Sequence, residues 1–598
     1  MTMRKFVAFL LLLLIGNGAV SAKIITGKYG ENLTWEVNTR SGELVISGEG
    51  YMRYYHSWPW EDYGKKITSV RFSDGVKSIP PACFEDCPNL KNIELPKSLD
   101  FIGRDALDNT AWYKNQPEGE VYVEDILYKY KGKMPANTSI VVKDGTRRIE
   151  NGALSGFPEL VSVKMPNSVT SIGNNAFYGC VSLSNIEIPL SVTSIEYAAF
   201  MDTEWYKNQK DGPIYVGKVF YKYKGEMPEG TSLVIQEGTT CITDYAFYHC
   251  KGLTDVKIPN SVTTIGEAAF GGCDGLSKVE LPQYLTTISS RSFAYCSNLE
   301  NVTIPNSVTS IENWAFSNCP KLKTIDIPRT VTLIESGAFR KSGLTSLEIP
   351  NSVSTFGDKV VMDCAQLRCV KLPNTILSLD EQMFAGCVAL ESLEIPLSVT
   401  KINARAFAGC VSLKEVKIPE TMTSIGDFAF EGCVNLSAIK VPQSVKELGR
   451  GIFLNCTALT EVVLPDSLDV IPEAMFAGCV SLSEINIPKT VSAINDGAFM
   501  CCSGLRYAKI PVAVKNIGRM AFYACSGMEE IKLMPQVPPT IFDNTFSHTN
   551  VGQTSLVVNV GFMDVYSDTE GWDKFQSSQE RNEDGTSGVI QVRVTVAD

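Results

Sequence analysis

A chain of 598 residues is longer than one hydrophobic core usually serves, so several domains or an array of repeats is expected. Apolar residues make up 44% and charged residues 20%, the balance of a folded chain rather than a disordered one. The net charge of −12 disfavours nucleic acid or an anionic membrane surface as the main partner, and three histidines supply few general bases or zinc ligands.

Residues 1–22 read as a signal peptide. Arg4 and Lys5 precede a ten-residue apolar run at 6–15, and Val20-Ser21-Ala22 offers the small residues a signal peptidase reads. That run is too short to span a bilayer, and no later stretch is long and apolar enough for a transmembrane helix. Cleavage near Ala22 and export to the surface or medium are expected. Residues 23–66 lack the pattern that follows. "LTWEVNTRSGELVISG" predicts a β-hairpin around Arg40-Ser41-Gly42, placed to cover the edge of the next element. Tyr54, Tyr55, His56, Trp58 and Trp60 form an aromatic cluster that suits either sugar stacking or an apolar plug.

From 67 to 534 the sequence repeats. A proline ends successive "I-x-I-P" strings at Pro259, Pro282, Pro305 and Pro328, steps of 23 residues. One 22-residue step leads to Pro350, and the 23-residue rhythm resumes from Pro373 to Pro511. Upstream the column passes through Ser73, Pro96, Lys143, Pro166, Pro189 and Gln236, and it ends near Met534, for about nineteen turns. In "LKTIDIP", Leu322, Ile325 and Ile327 alternate inward while Asp326 points out, and Pro328 stops the strand because it has no N–H to give. Val331, Ile334 and Phe339 are turned in as the chain returns. No turn buries its apolar face alone, so stacking must do it.

Fourteen of eighteen cysteines stand fourteen residues after the proline position, from Cys87 and Cys180 through Cys250 to Cys525. A disulfide framework shows irregular, paired spacings, and zinc sites group their ligands. One thiol per turn reads instead as the filling of a small interior slot. Phe157 and Ser342 fall in two other slots, and His548 falls in that of a degenerate last turn.

These strings, "IP-x-SVTSIG-x-x-AF-x-x-C-x-x-L", resemble the treponemal-type leucine-rich repeat of BspA-like surface proteins over essentially the whole mature chain. The resemblance implies a repeat solenoid of the α/β type, mainly β, a right-handed superhelix with a parallel sheet on its concave face. It also implies an exported protein that binds proteins, by adhesion to host matrix or cell proteins or to other microbes. It brings no ligand with it.

Twice the step lengthens to 47 residues, one turn plus 24. The extra segments, near 110–136 and 203–229, are near copies: "WYKNQPEGEVYVEDILYKYKGKMP" and "WYKNQKDGPIYVGKVFYKYKGEMP". The second predicts a hairpin turning at Gly217-Lys218. Tyr128 with Tyr130, and Tyr221 with Tyr223, alternate on one face, either as a protruding platform for a glycan or protein or as rings bracing the insert. After 534, the run Pro535-Gln536-Val537-Pro538-Pro539 breaks the pattern, and 535–575 reads as a C-terminal cap. Residues 576–598 read as a polar linker followed by a strand-like "VIQVRVTV".

No catalytic, cofactor or metal constellation emerges. His56, His249 and His548 are far apart in sequence, and Asp568 with Glu570 sits on a polar loop. Binding is the expected activity, with extracellular proteins as the first expectation and glycan capture by the insert tyrosines as the alternative. Outward strand positions are charged and nearly free of aromatics. Lys417 and Lys440, Lys509 and Lys532, and Glu461 and Glu484 form like-charged neighbours in successive turns, a candidate partner surface.

Overall fold

The computed structural model describes residues 23–30, 32–52 and 57–581. The signal segment 1–22, the residues Tyr54, Tyr55 and His56, and the run "VIQVRVTV" lie outside the described residues. Contacts divide the chain into two compact units, Met1–Gly225 and Glu226–Asp598. Both are built of stacked parallel strands joined by turns, with very little helix.

The first unit opens with a meander of β1 (Ile24–Tyr29), β2 (Leu33–Asn38) and β3 (Glu43–Gly48), paired antiparallel. Alternation buries Val37, Leu44 and Ile46 completely. Each following turn then contributes two short strands. In chain order these begin with β4 (Ser69–Phe72), β5 (Ser78–Ile79), β6 (Asn92–Glu94) and β7 (Phe101–Ile102). The "I-x-I" strands β4 and β6 pair in a first parallel ladder, and the "S-I" strands β5 and β7 pair in a second. β3 joins β4 in parallel, so the meander extends the first ladder and covers its edge. Trp58 and Trp60 are buried, and Trp60 stacks on Phe84 at 6.3 Å, a plug at the head of the core.

The first 24-residue insert forms a turn of its own. Thr110 caps the short helix α1 (Ala111–Lys114) by accepting from the N–H of Tyr113, and Trp112 N–H donates to Leu90 O of the turn before. β8 (Gly119–Val123) and β9 (Ile126–Lys131) follow as an antiparallel hairpin. β10 (Thr138–Val141) then resumes the first ladder and β11 (Arg148–Ile149) the second, where β9 pairs with β11 in parallel. The insert therefore supplies a strand to the second ladder but a helix in place of a first-ladder strand. The ladders continue through β12 (Leu160–Lys164), β13 (Ser171–Ile172), β14 (Asn185–Glu187) and β15 (Ser194–Ile195). The second insert repeats the device with α2 (Glu204–Lys207), β16 (Gly212–Val216) and β17 (Val219–Lys224).

In the second unit both ladders run on as a series of short parallel sheets, and one turn departs from the 23-residue step. Ser342-Gly343-Leu344 spans in three residues what Cys319 to Leu322 spans in four, which is the origin of the 22-residue step. Only glycine fits this shortcut, because a Cβ on Gly343 would stand 2.0 Å from Pro320 O. Residues 324–326 form no first-ladder strand, although the second ladder passes unbroken through Ser310–Ile311, Leu333–Ile334 and Thr355–Phe356.

The return segments also stack by hydrogen bonds. Arg291, Phe293 and Tyr295 donate their N–H groups to the carbonyls of Asn313, Ala315 and Ser317 at 2.8 to 2.9 Å. Arg291 and Tyr295 have positive φ, +54° and +61°. The second of these positions precedes the cysteine and is glycine in Gly386, Gly409 and Gly432, which adopt the left-handed region without a Cβ penalty.

Inside, phenylalanines stack from turn to turn, as Phe384, Phe407 and Phe430 do at 5.4 and 5.1 Å. Every column thiol is buried and free. Cys410 Sγ donates to Phe384 O at 3.2 Å, and this contact, 26 residues back, recurs from Cys273 to Cys525 except at Cys364, where the short turn makes it 25. The last slot departs from the sequence reading. His548 is exposed, and Thr549 is buried instead, its hydroxyl donating to Phe522 O. The final turn is one residue longer, Phe522 to Phe546, which moves the slot by one. Phe546, Trp572 and Phe575 close this end, with Trp572 Nε1 donating to Pro539 O at 3.0 Å.

Candidate binding surface

On the strand face of the second unit, residues two before the proline position point outward. Lys417 and Lys440 are exposed ends of Glu415–Lys417 and Ala438–Lys440, whose central Val416 and Ile439 are buried. Lys509 and Lys532 are direct partners in the ladder of Tyr507–Ile510 with Glu530–Leu533. Among the described residues, Lys417, Lys509 and Lys532 have no carboxylate within 4.0 Å. Lys440 reaches Glu420 Oε1 at 3.0 Å rather than the diagonal Glu461, because the loop after Pro419 brings Glu420 alongside. Glu461 and Glu484 stand exposed on the contacting strands Glu461–Val463 and Glu484–Asn486, with no cation within 4.0 Å among the described residues. Two lysine pairs and one glutamate pair thus lie on one side of the stacked strands, all exposed except the half-buried Lys532.

The same face carries a depression around Pro350. A cavity of about 870 Å³ is lined by Arg329, Glu348, Asn351, Lys371, Asn374 and Glu394, with Lys371 and Glu348 paired at 2.6 Å.

The insert tyrosines are placed differently. Tyr128 is 3% exposed; its hydroxyl accepts from Leu107 N–H at 3.0 Å and donates to Asp108 at 2.8 Å. Tyr221 is equally buried and accepts from Phe200 N–H at 3.1 Å. Burial pushes both phenols upward in pKa. A bulge in each hairpin interrupts the strict alternation, so Ile126, Leu127 and Tyr128 are all buried in succession. Tyr130 is half-buried edge-on to Phe157 at 5.0 Å, and Tyr223 is half-buried. Two of the four rings are therefore bracing groups in position, joined to the backbone of the turn before.

A buried ion network went unread in the sequence. Arg148 binds Glu150 at 3.1 Å and Glu196 at 2.8 Å, with side chains 7%, 1% and 27% exposed. Glu150 also accepts from Ile102 N–H at 2.8 Å, satisfying β7 where it has no following strand. The signal was "RRIEN" at 147–151 standing where the next turn reads "TSIGN". Among the described residues no group of His, Cys, Asp or Glu is arranged to hold a metal, and no helix is long and apolar enough to cross a membrane.

The model of the BspA type leucine rich repeat region matches in six copies, over residues 62–116, 128–209, 220–345, 332–460 and 447–567. Similar solved structures include a leucine-rich repeat protein from Bacteroides ovatus, 29% identical, covering 46% of this chain and 82% of its own, with a TM-score of 0.37. Another is a leucine rich cell surface protein from Faecalibacterium prausnitzii, 25% identical, covering 68% and 90%, with a TM-score of 0.29. A leucine rich repeat protein of T. pallidum is 32% identical over 27% of this chain and 78% of its own, at a TM-score of 0.26. No curated protein matches. With the repeat model covering most of the chain, this protein belongs to the BspA-type leucine-rich repeat family.

Proposed function

We propose that the protein is exported, displayed at the cell surface or released, and binds other proteins through the strand face of its second unit, in adhesion to host matrix or cell proteins or to other microbes. The observation that carries this reading is the Lys509–Lys532 pair, two cations side by side in one ladder with no carboxylate within 4.0 Å among the described residues. Like charges held laterally are mildly unfavourable, and an acidic partner surface relieves them. Similarity to a protein described as a cell surface protein supports the location. The test is binding of the purified chain to immobilised matrix proteins beside a glycan array. Binding to protein that falls with salt and is lost on changing Lys417, Lys440, Lys509 and Lys532 to Glu, with thermal stability retained, supports the reading. Unchanged affinity of that variant at low salt removes this face, and glycan binding lost on Tyr130→Ala and Tyr223→Ala transfers the function to the inserts.

A further inference from the structure

Three exposed rings lie together on the return side of the second unit. Tyr248 is 48% exposed and Tyr295 60%, and the exposed His249 ring stands 4.1 Å from that of Tyr248. His249, Gly272 and Tyr295 hold the same position in successive turns, which stack through His249 N–H to Gly271 O and Gly272 N–H to Ala294 O. His249 and Tyr295 are therefore two turns, roughly 10 Å, apart along the stack. The turn between them is bare. A Cβ on Gly271 would stand 3.1 Å from the Tyr248 ring and one on Gly272 2.4 Å from His249 Nδ1, so both rings lie across that turn toward Tyr295. Elsewhere on this side such a ring is already covered. Trp314 lies over Gly337 with Arg340 at 5.4 Å, and Phe428 over Gly451 with Arg405 at 4.9 Å and Arg450 at 5.3 Å. Among the described residues no cation stands over Tyr248, His249 or Tyr295, and the two tyrosine hydroxyls have no hydrogen-bond partner.

We propose that Tyr248, His249 and Tyr295 form a platform on which a neutral oligosaccharide stacks. The open face of an aromatic ring is electron-rich and meets the C–H face of a sugar as it meets other partly positive edges. The borders of the platform decide the charge of the ligand. On one side along the return segments, Glu267 pairs with Arg291 at 2.8 Å. On the other, Asp274 has Lys251 at 3.8 Å and accepts from Ser297 Oγ at 2.6 Å. Each border holds one anion and one cation, so neither an acidic nor a basic ligand gains from them. They offer acceptors and donors together, which matches hydroxyls that each give and take a hydrogen bond. Arg291 and Lys251 stay with their carboxylates and leave the ring faces to a ligand from outside. The platform depends on neither the strand-face lysines nor the insert tyrosines.

The probes are maltohexaose, cellohexaose and xylohexaose, with hexagalacturonate as the acidic counterpart, read by saturation-transfer NMR on the purified chain. At least one neutral hexasaccharide is expected to take up saturation, most strongly at its ring C–H protons, and hexagalacturonate is not. The affinity should fall about tenfold or more when Tyr248→Ala and Tyr295→Ala are combined, since two ring contacts are lost. The melting temperature should stay nearly unchanged, because neither ring is buried. Changing Lys417, Lys440, Lys509 and Lys532 to Glu should leave glycan binding intact, as should Tyr130→Ala with Tyr223→Ala, which separates the platform from the strand face and from the inserts. No uptake by any neutral probe, undiminished binding by the folded double variant, or a preference for hexagalacturonate overturns the proposal.

Discussion

Cys410 shows what one position in a repeat requires of a side chain. The slot admits a small apolar group, and its Sγ also donates to Phe384 O, so a thiol meets both demands. Burial pushes this thiol well above its ordinary pKa, and Cys456 to about 12, which leaves little nucleophilic thiolate at neutral pH. Of eighteen cysteines only Cys369 and Cys501 are exposed. A thiol reagent should therefore label those two rapidly in the native protein and the remainder only after denaturation, as read by mass spectrometry; column cysteines found in disulfides would contradict the slot account. The slot was legible because its period is strict. The left-handed positions were not, because side-chain-bearing residues such as Arg291 and Tyr295 occupy them despite the Cβ penalty and so hide the backbone requirement.

Single elements explain where the rhythm fails. The inserts announced themselves by length, and 24 residues is close to one turn, yet nothing in "WYKNQ" tells that a helix stands where a strand was due. Arg148 and Glu150 became necessary there, since Ile102 N–H lost a strand partner. Arg148→Met should cost about 3–5 kcal/mol by leaving Glu150 buried and unpaired, while Arg148→Met with Glu150→Met should recover only part of it, because Ile102 N–H then loses its acceptor. Urea unfolding of the two variants checks this, and equal losses would show the pair to be incidental. The hairpin tyrosines alternate in sequence, but the bulge turns that pattern into three consecutive buried residues. Tyr221→Phe removes the acceptor for Phe200 N–H and should cost about 1–3 kcal/mol in the same assay. No change in stability would mean that the ring, rather than its hydroxyl, does the bracing.

At the scale of the whole molecule, the architecture is additive, each turn burying what its neighbours leave exposed. That is why the fold could be read from a proline ruler and a family motif, whereas the binding surface could be read only as a pattern of charge. Sequence placed Lys509 beside Lys532 correctly because the 23-residue step maps onto the ladder without slip. It could not find Glu420 beside Lys440, which depends on the path of a loop. The claim that the strand face of the second unit binds a protein partner is tested most directly by lysine acylation footprinting, with and without a captured partner. The account predicts that Lys417, Lys440, Lys509 and Lys532 lose reactivity together on binding, while Lys341 on the return side keeps its own. Protection of Lys341 with the four strand-face lysines still reactive would contradict it.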